Sequence, residues 1–272
     1  MTVALWTRRR ALAAPLAWLA PAMAADSKQE RGRQALDATV EALGGAKFKA
    51  MEDRVESGRA YSFYNSKLSG LARATIYTRY LTPPAKPDPT QVYSRERQAF
   101  GKDETWAVLF TEDKGFTLTY RGAQPVPQAQ LDRYRDTTRR NIFYILKQRL
   151  NEPGLIVEHQ GKDVFDNQGV DVVDITDSEN VTVTVFLNQT THLPVRQMFY
   201  RRDPVTRDRN EEVTIFAKYR DTSGLQWPWA ITRHRNGEKI FELFSDSVSI
   251  NKDLNDSRFT LPANMKVLPP PR

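Results

Sequence analysis

Cysteine is absent from this chain of 272 residues. Disulfide staples, thiolate metal sites and lipid attachment through a cysteine are thereby excluded, so stability must come from a packed core. Histidine is nearly absent. His159, His192 and His234 stand alone, without the i, i+4 spacing of a helical metal pair, and read as isolated structural or surface residues. The nucleophile elbow G-x-S-x-G, the P-loop, the dinucleotide fingerprint G-x-G-x-x-G and the EF-hand loop are all missing. The stretch Asp253 to Asp256 lacks the full ligand spacing of a calcium site and reads as a solvated turn. No catalytic residue, metal ligand or cofactor is therefore assigned, and the chain reads as non-enzymatic. Paired carboxylates assembled only by folding leave no motif, which keeps a hydrolase as a third and last reading. Long runs of one charge are missing too: segments such as RDPVTRDRNEE intersperse the signs, so no nucleic-acid surface is expected.

What is present begins with MTVALWTRRRALAAPLAWLAPAMAAD: three arginines, an apolar run from Ala11 to about Leu19, and small residues ending Ala22-Met23-Ala24. That is the layout of a secretory signal peptide over residues 1–24, with cleavage expected after Ala24. Pro15 and Pro21 interrupt the apolar run, which also falls short of the roughly 20 residues a spanning helix needs. The arginines leave the general and twin-arginine export routes both open. Loss of Arg8, Arg9 and Arg10, with no acidic residue, lowers the formal charge from +7 to +4, a mildly basic surface. No later segment approaches membrane-spanning length. Residues 25–272 are expected to form one soluble domain outside the cytoplasm, long enough to bury a large core.

Hydrophobic period then assigns the elements. From Glu30 to Leu43, Ala35, Leu36, Thr39, Val40 and Leu43 recur at spacings of three and four, and Gly44 stands where a left-handed C-cap belongs: one amphipathic helix. From Arg54 the period changes to two, through GLARATIYTRYL, QVYSRERQAF, DETWAVLFT and KGFTLTY, with the four prolines of TPPAKPDPT marking a loop. A second helix is predicted from about Gln128 to Leu150, with Leu131, Tyr134, Thr138, Ile142, Ile145, Leu146 and Leu150 on one stripe. Seven further strand-like runs follow, and Asn236-Gly237 reads as a two-residue type I′ hairpin. Eleven or twelve strands with only two helices favour a mainly β (α+β) fold. Its curved antiparallel sheet would form an unclosed β-barrel, with the helices as stoppers on the hollow side.

Aromatic residues are the remaining signal. Phe63, Trp106 and Phe116 in the first block of strands, and Phe186, Phe199, Phe216, Trp229 and Phe244 in the second, recur on nearly every strand, as do Phe110 and Trp227. Ordinary packing explains any one of them. Together, in a curved sheet, the first eight are candidates to line an apolar concavity that two helices do not fill. Such a concavity suits acyl chains, which gain about 0.8 kcal/mol per buried methylene and need no polar partner.

The passage from LNQTTHLPVRQMFYRR to DSRFTLP resembles the outer-membrane lipoprotein-sorting, LolA/LolB-like proteins. The points of resemblance are the threonine-x-leucine-proline turn Thr191-His192-Leu193-Pro194, and Asn251 followed by Phe259-Thr260-Leu261-Pro262. The opening LDATVEALGGAKFKAMEDRVESGR is similar to their N-terminal helix and first strand, so the resemblance spans about residues 30 to 268. It implies an unclosed barrel with helices as a lid over a hydrophobic cavity, in the periplasm, working as a carrier for the acyl chains of lipids or lipoproteins. No lid-locking arginine of that family aligns with an arginine of this chain, and the loop Pro83 to Pro89 lies outside the pattern. The first functional reading is accordingly a non-enzymatic periplasmic carrier. The alternative is an adaptor of the cell envelope whose hollow is filled by its own side chains and whose outer face or sheet edge binds a protein partner.

Overall fold

A computed structural model describes residues 20–203 and 206–271. Most of the predicted signal peptide, residues 1–19, lies outside the described residues, and the expected cleavage point after Ala24 falls inside the first helix.

Thirteen strands, one or two more than the pattern predicts, form one antiparallel sheet built from two meanders. The first comprises β1 (Asp53–Tyr64), β2 (Lys67–Tyr80), β3 (Ser94–Phe100), β4 (Trp106–Phe110), β5 (Gly115–Thr119) and β6 (Gly122–Pro125). The second comprises β7 (Ile156–Phe165), β8 (Gln168–Thr176), β9 (Thr182–Asn188), β10 (Pro194–Arg202), β11 (Arg209–Thr222), β12 (Leu225–Arg235) and β13 (Glu238–Ile250). Pairing of β1 with β13 joins them, so the sheet runs from β6 at one edge to β7 at the other without closing. The turns carry the chemistry their geometry demands: Asn236 and Gly237 both take positive φ, 50° and 80°, as a type I′ hairpin requires. In the Thr191-His192-Leu193-Pro194 turn, the Asn188 side chain accepts hydrogen bonds from the Thr190 and Thr191 amides.

Register shifts bend the strands. The shift between Ser57 and Gly58 leaves Asp246 of β13 out of register. Only glycine fits at 58, because a Cβ there would lie 2.1 Å from the Phe244 carbonyl oxygen. Such bulges increase local twist and curl a long sheet.

Both sheet edges are covered in part. The C-terminal segment bridges to β6, where the Ala123 amide donates to the Lys266 carbonyl and the Leu268 amide to the Ala123 carbonyl. At the other edge α1 (Ala20–Leu43) packs on β7, so closely that a Cβ on Gly32 would lie 3.0 Å from the His159 amide nitrogen. Covering blocks an edge from recruiting a second sheet, whereas β7 stays exposed at Gln160 and from Lys162 to Val164.

The predicted second helix is broken. α3 occupies Gln128–Arg139, and after Asn141 the chain restarts as α4 (Ile142–Tyr144), followed by a π-helical turn, Ile145–Arg149. Asn141 is extended and its side chain accepts hydrogen bonds from the Phe143 and Tyr144 amides, the capping alternative that asparagine offers to a continuous helix. The sheet serves the groups freed at the break: Gln197 of β10 accepts from the Ile142 amide at 2.8 Å and donates to the Arg140 carbonyl at 3.3 Å.

The main core lies on the concave face of the second meander. Leu36, Val40 and Leu43 of α1, Phe48 of α2 (Ala46–Lys49), and Ile142, Phe143, Ile145 and Leu146 pack there against Val173, Val185, Phe199, Phe216, Trp227 and Ile250. This half of the hollow is filled by the helices, as the stopper reading expects. A second cluster covers the convex face of the first meander, where Phe259 and Leu254 of the C-terminal segment seal Tyr77, Ala99, Leu109 and Leu118.

Two lysines tie the helices together at their ends. The Lys49 ammonium donates to the Leu146 carbonyl, and the Lys147 ammonium donates to the Lys49 carbonyl at 2.6 Å. Burial, then the nearby Lys49 charge, pulls the Lys147 pKa down to about 8 from 10.5. Between those two values the unfolded chain binds more protons than the native one, so stability is expected to rise as pH increases from about 8 to about 10.5, and to be lowest below about 8. Lys147→Met should flatten that rise in a set of denaturation midpoints taken across the window; an unchanged slope would place its origin elsewhere.

Candidate functional site

The first meander leaves the other half of the concave face less fully covered. Side-chain alternation identifies the lining: Ile76 pairs with Glu56 and Gln98, Ala74 with Gly58 and Phe100, and Phe100 with Trp106. Across the hollow, Leu243 and Phe241 of β13 and Ile231 of β12 share a cluster with Ala60, Ala74, Ile76 and Phe100. Ala60, Ala74 and Leu243 are buried, whereas Ile76, Phe100, Ile231 and Phe241 keep part of their surface open and Trp106 is 42% exposed. An inner face of large apolar groups that still meets solvent is an apolar concavity.

α3 roofs one side of this space. Tyr134 stacks on Phe110 of β4, ring centroids 3.9 Å apart, while Arg133 pairs with Glu212 of β11 at 3.3 Å. Arg201 of β10 pairs with Asp136 at 3.1 Å and donates to the Thr137 hydroxyl at 2.8 Å. The helix thus spans from one limb of the curved sheet to the other through polar contacts on one side and an aromatic stack on the other.

The floor of the hollow is charged, which the reading of a purely apolar interior did not foresee. Arg54 is ion-paired with Glu56, donates to the Thr78 hydroxyl at 3.2 Å and lies over the Trp227 ring at 4.4 Å. Ser245 donates to Glu56 at 2.5 Å. Glu96 accepts from the Gln98 amide at 2.6 Å, and burial raises its pKa above the ordinary carboxylate value although Arg54 and Arg233 oppose the rise. Arg233 lies over Phe241 at 5.5 Å and makes no hydrogen bond or close ion pair among the described residues. Its side chain stays open to water, yet desolvation lowers its pKa, the combination expected of a group enclosed by walls without being packed.

The eight aromatic candidates do not converge on one concavity. Phe199 and Phe216 face inward but are sealed in the filled half, Phe216 edge-on to Phe143 at 5.0 Å and Phe199 beneath Arg140. Trp106 lies on the inner face, its ring 4.4 Å from Phe100. Phe186 alternates with the inward Val185 and Leu187, so it faces outward, covered by Arg196 at 4.8 Å. Phe116 packs with the outer cluster, and Phe63 lies beneath Lys239 at the sheet's tip. Phe244 alternates with the inward Leu243 and, with Trp229, lines an outer cleft of about 320 Å³. A second cleft, of about 370 Å³, lies between the loop Pro83 to Pro89 and the π-helical turn, bordered by Tyr93 and Tyr144. Burial pushes the Tyr144 pKa to about 12, and its hydroxyl accepts from the Tyr93 amide at 2.7 Å.

A mainly antiparallel, unclosed half-barrel with helices on its hollow face defines the structural class. No protein-family model and no curated protein sequence matches the chain. Among solved structures it is similar to a putative outer membrane lipoprotein-sorting protein domain from Vibrio parahaemolyticus, at 12% identity and a TM-score of 0.55, over 86% of this chain and 97% of that one. It is also similar to a DUF1329 family protein from Desulfovibrio piger, at 10% identity and a TM-score of 0.57, over 84% and 97%. A LolA superfamily protein from Nitrosomonas europaea matches at 14% identity and a TM-score of 0.51, again over 84% and 97%. The chain therefore has the fold of the lipoprotein-sorting, LolA-superfamily and DUF1329 proteins.

Proposed function

We propose that this chain is a non-enzymatic periplasmic carrier that holds the acyl chains of lipids or lipoproteins in the hollow beneath α3. The observation that carries the reading is the partly open inner face formed by Ile76, Phe100, Trp106, Ile231 and Phe241. Apolar surface of this kind is stabilised by covering it, at about 25 cal/mol per Å² removed from water. The likeness to a lipoprotein-sorting domain supports the cargo class. No helix of the described residues is long and apolar enough to cross a membrane, in keeping with a carrier that moves freely. Release follows from displacement of the broken helix. Its interruption at Asn141 and the π-helical turn beyond are the places where a segment can tilt without unwinding α3.

One observation favours the adaptor reading instead: the other half of the hollow is packed with the protein's own side chains. Native mass spectrometry with organic extraction, on protein purified from periplasm without detergent, separates the two. Co-purifying lipid or acylated peptide is expected, and Phe100→Glu should reduce it by about tenfold, since a carboxylate on the inner face repels an acyl chain. Arg209→Glu, on a residue stacked on Tyr200 far along β11, should leave it unchanged. A clean apo mass with no uptake of added phospholipid or lipopeptide would hand the lead to the adaptor reading.

A further inference from the structure

The outer cleft has features that acyl-chain binding does not use. Arg59, Lys218, Arg220, Trp229, Phe244 and Asp246 line it. It lies on the convex face, because Arg59 and Phe244, paired across β1 and β13, alternate with the inward Ala60 and Leu243. Three of its side chains are cations and one is an acid. Only Arg59 is matched, by Asp246 at 4.0 Å, and both are largely exposed. Lys218 and Arg220 make no ion pair or hydrogen bond among the described residues. Each instead rests on an aromatic ring of the cleft, Lys218 over Phe244 at 5.1 Å and Arg220 over Trp229 at 4.3 Å. The Trp229 indole N–H is buried with no hydrogen-bond partner among the described residues.

The backbone is shaped to bring these groups together. Lys218 has a φ of 56°, uncommon for a residue with a side chain, while the register of β11 on β12 continues unbroken on either side of it, Ala217 pairing with Ala230 and Tyr219 with Pro228. On the far side of the cleft, the β13 bulge sets Asp246 out of register opposite Ser57 and Gly58. Bulges re-aim side chains, and strained backbone persists where its surroundings hold it.

We propose that this cleft is a binding site for a phosphate ester. Two cations without a carboxylate partner, Lys218 and Arg220, supply the several directed hydrogen bonds that a tetrahedral oxyanion accepts. The Phe244 and Trp229 rings form an apolar floor for the adjoining organic group. A phospholipid headgroup and a soluble phosphate ester share this chemistry. The site lies on the opposite face of the sheet from the hollow, so it does not depend on the carrier reading.

The test is isothermal titration of the full mature chain with inorganic phosphate and with glycerol 3-phosphate, together with co-sedimentation on phosphatidylglycerol and on phosphatidylcholine vesicles. Saturable binding that weakens with salt is expected, and Lys218→Asn with Arg220→Gln should weaken it by about tenfold or more. Asparagine is chosen because it tolerates positive φ without carrying the charge. Asp246→Asn should tighten binding, an opposite-signed change that misfolding would not produce. Binding of phosphatidylglycerol vesicles over phosphatidylcholine, lost in the double variant, identifies a headgroup as the source; binding of the soluble esters alone identifies a free ester. Absence of saturable binding to every probe, or binding that the double variant and Asp246→Asn leave unchanged, overturns the proposal.

Discussion

Glu56→Gln is expected to destabilise the chain by about 3–5 kcal/mol, because it strands the buried Arg54 guanidinium on the floor of the hollow. Glu56 is 1% exposed and Arg54 9%, so neither water nor salt can replace the lost carboxylate. Thr78 offers one hydroxyl and Trp227 a ring face, which orient the guanidinium without neutralising it. Breaking a buried pair and deleting it have different consequences. In Arg54→Met with Glu56→Leu neither partner of the pair is left alone, burial already favours the protonated form of the neighbouring Glu96, the methionine keeps its contact with Trp227, and most of the loss should be recovered. Urea denaturation midpoints of the single and double variants decide the matter: equal losses would mean that the pair acts through shape and not through charge.

The position of that pair also shows what the sequence conceals. The period-two alternation of β1 and β2, the break at Gly44 and the Asn236-Gly237 hairpin are local signals, and the structure contains each of them. The break at Asn141 has a local cause as well, but the apolar stripe from Leu131 through Leu150 runs across it and disguises it as one helix. The lining of the hollow was less legible. SRERQAF reads as a strand-like run with no inner face marked, yet alternation turns Glu96, Gln98 and Phe100 inward to face Arg233 and Phe241 across a long separation in the chain. Aromatic recurrence cannot separate inner from outer positions when both faces of a sheet are covered. Here the outer face is covered by Phe259 and Leu254 on one limb and by Arg196 over Phe186 on the other. Bulges add to the difficulty, because each one moves later side chains to the opposite face, as at Asp246.

Phe143→Ala is the second large effect, and it bears on function as well as stability. Phe143 is 4% exposed and sits edge-on to Phe216 at 5.0 Å and tilted against Trp227 at 4.8 Å, the aromatic contact that holds the three-residue α4 on the sheet. Truncation is expected to cost about 3–5 kcal/mol through lost burial and the cavity left behind. That cavity adjoins the open half of the hollow, with Phe216 paired to Ile231 at their boundary. In a carrier, the variant should therefore accept longer acyl chains than the parent. Binding then feeds back on folding: at a ligand concentration about 100 times Kd it returns about 2.7 kcal/mol of stability. The gain in denaturation midpoint on adding a lysophospholipid, kept below its micellar concentration, should be larger for Phe143→Ala than for the parent chain. A variant that loses its stability and recovers none of it with lipid has a hollow built only to be filled by its own helices, since an enlarged apolar space that repels acyl chains is no cargo site.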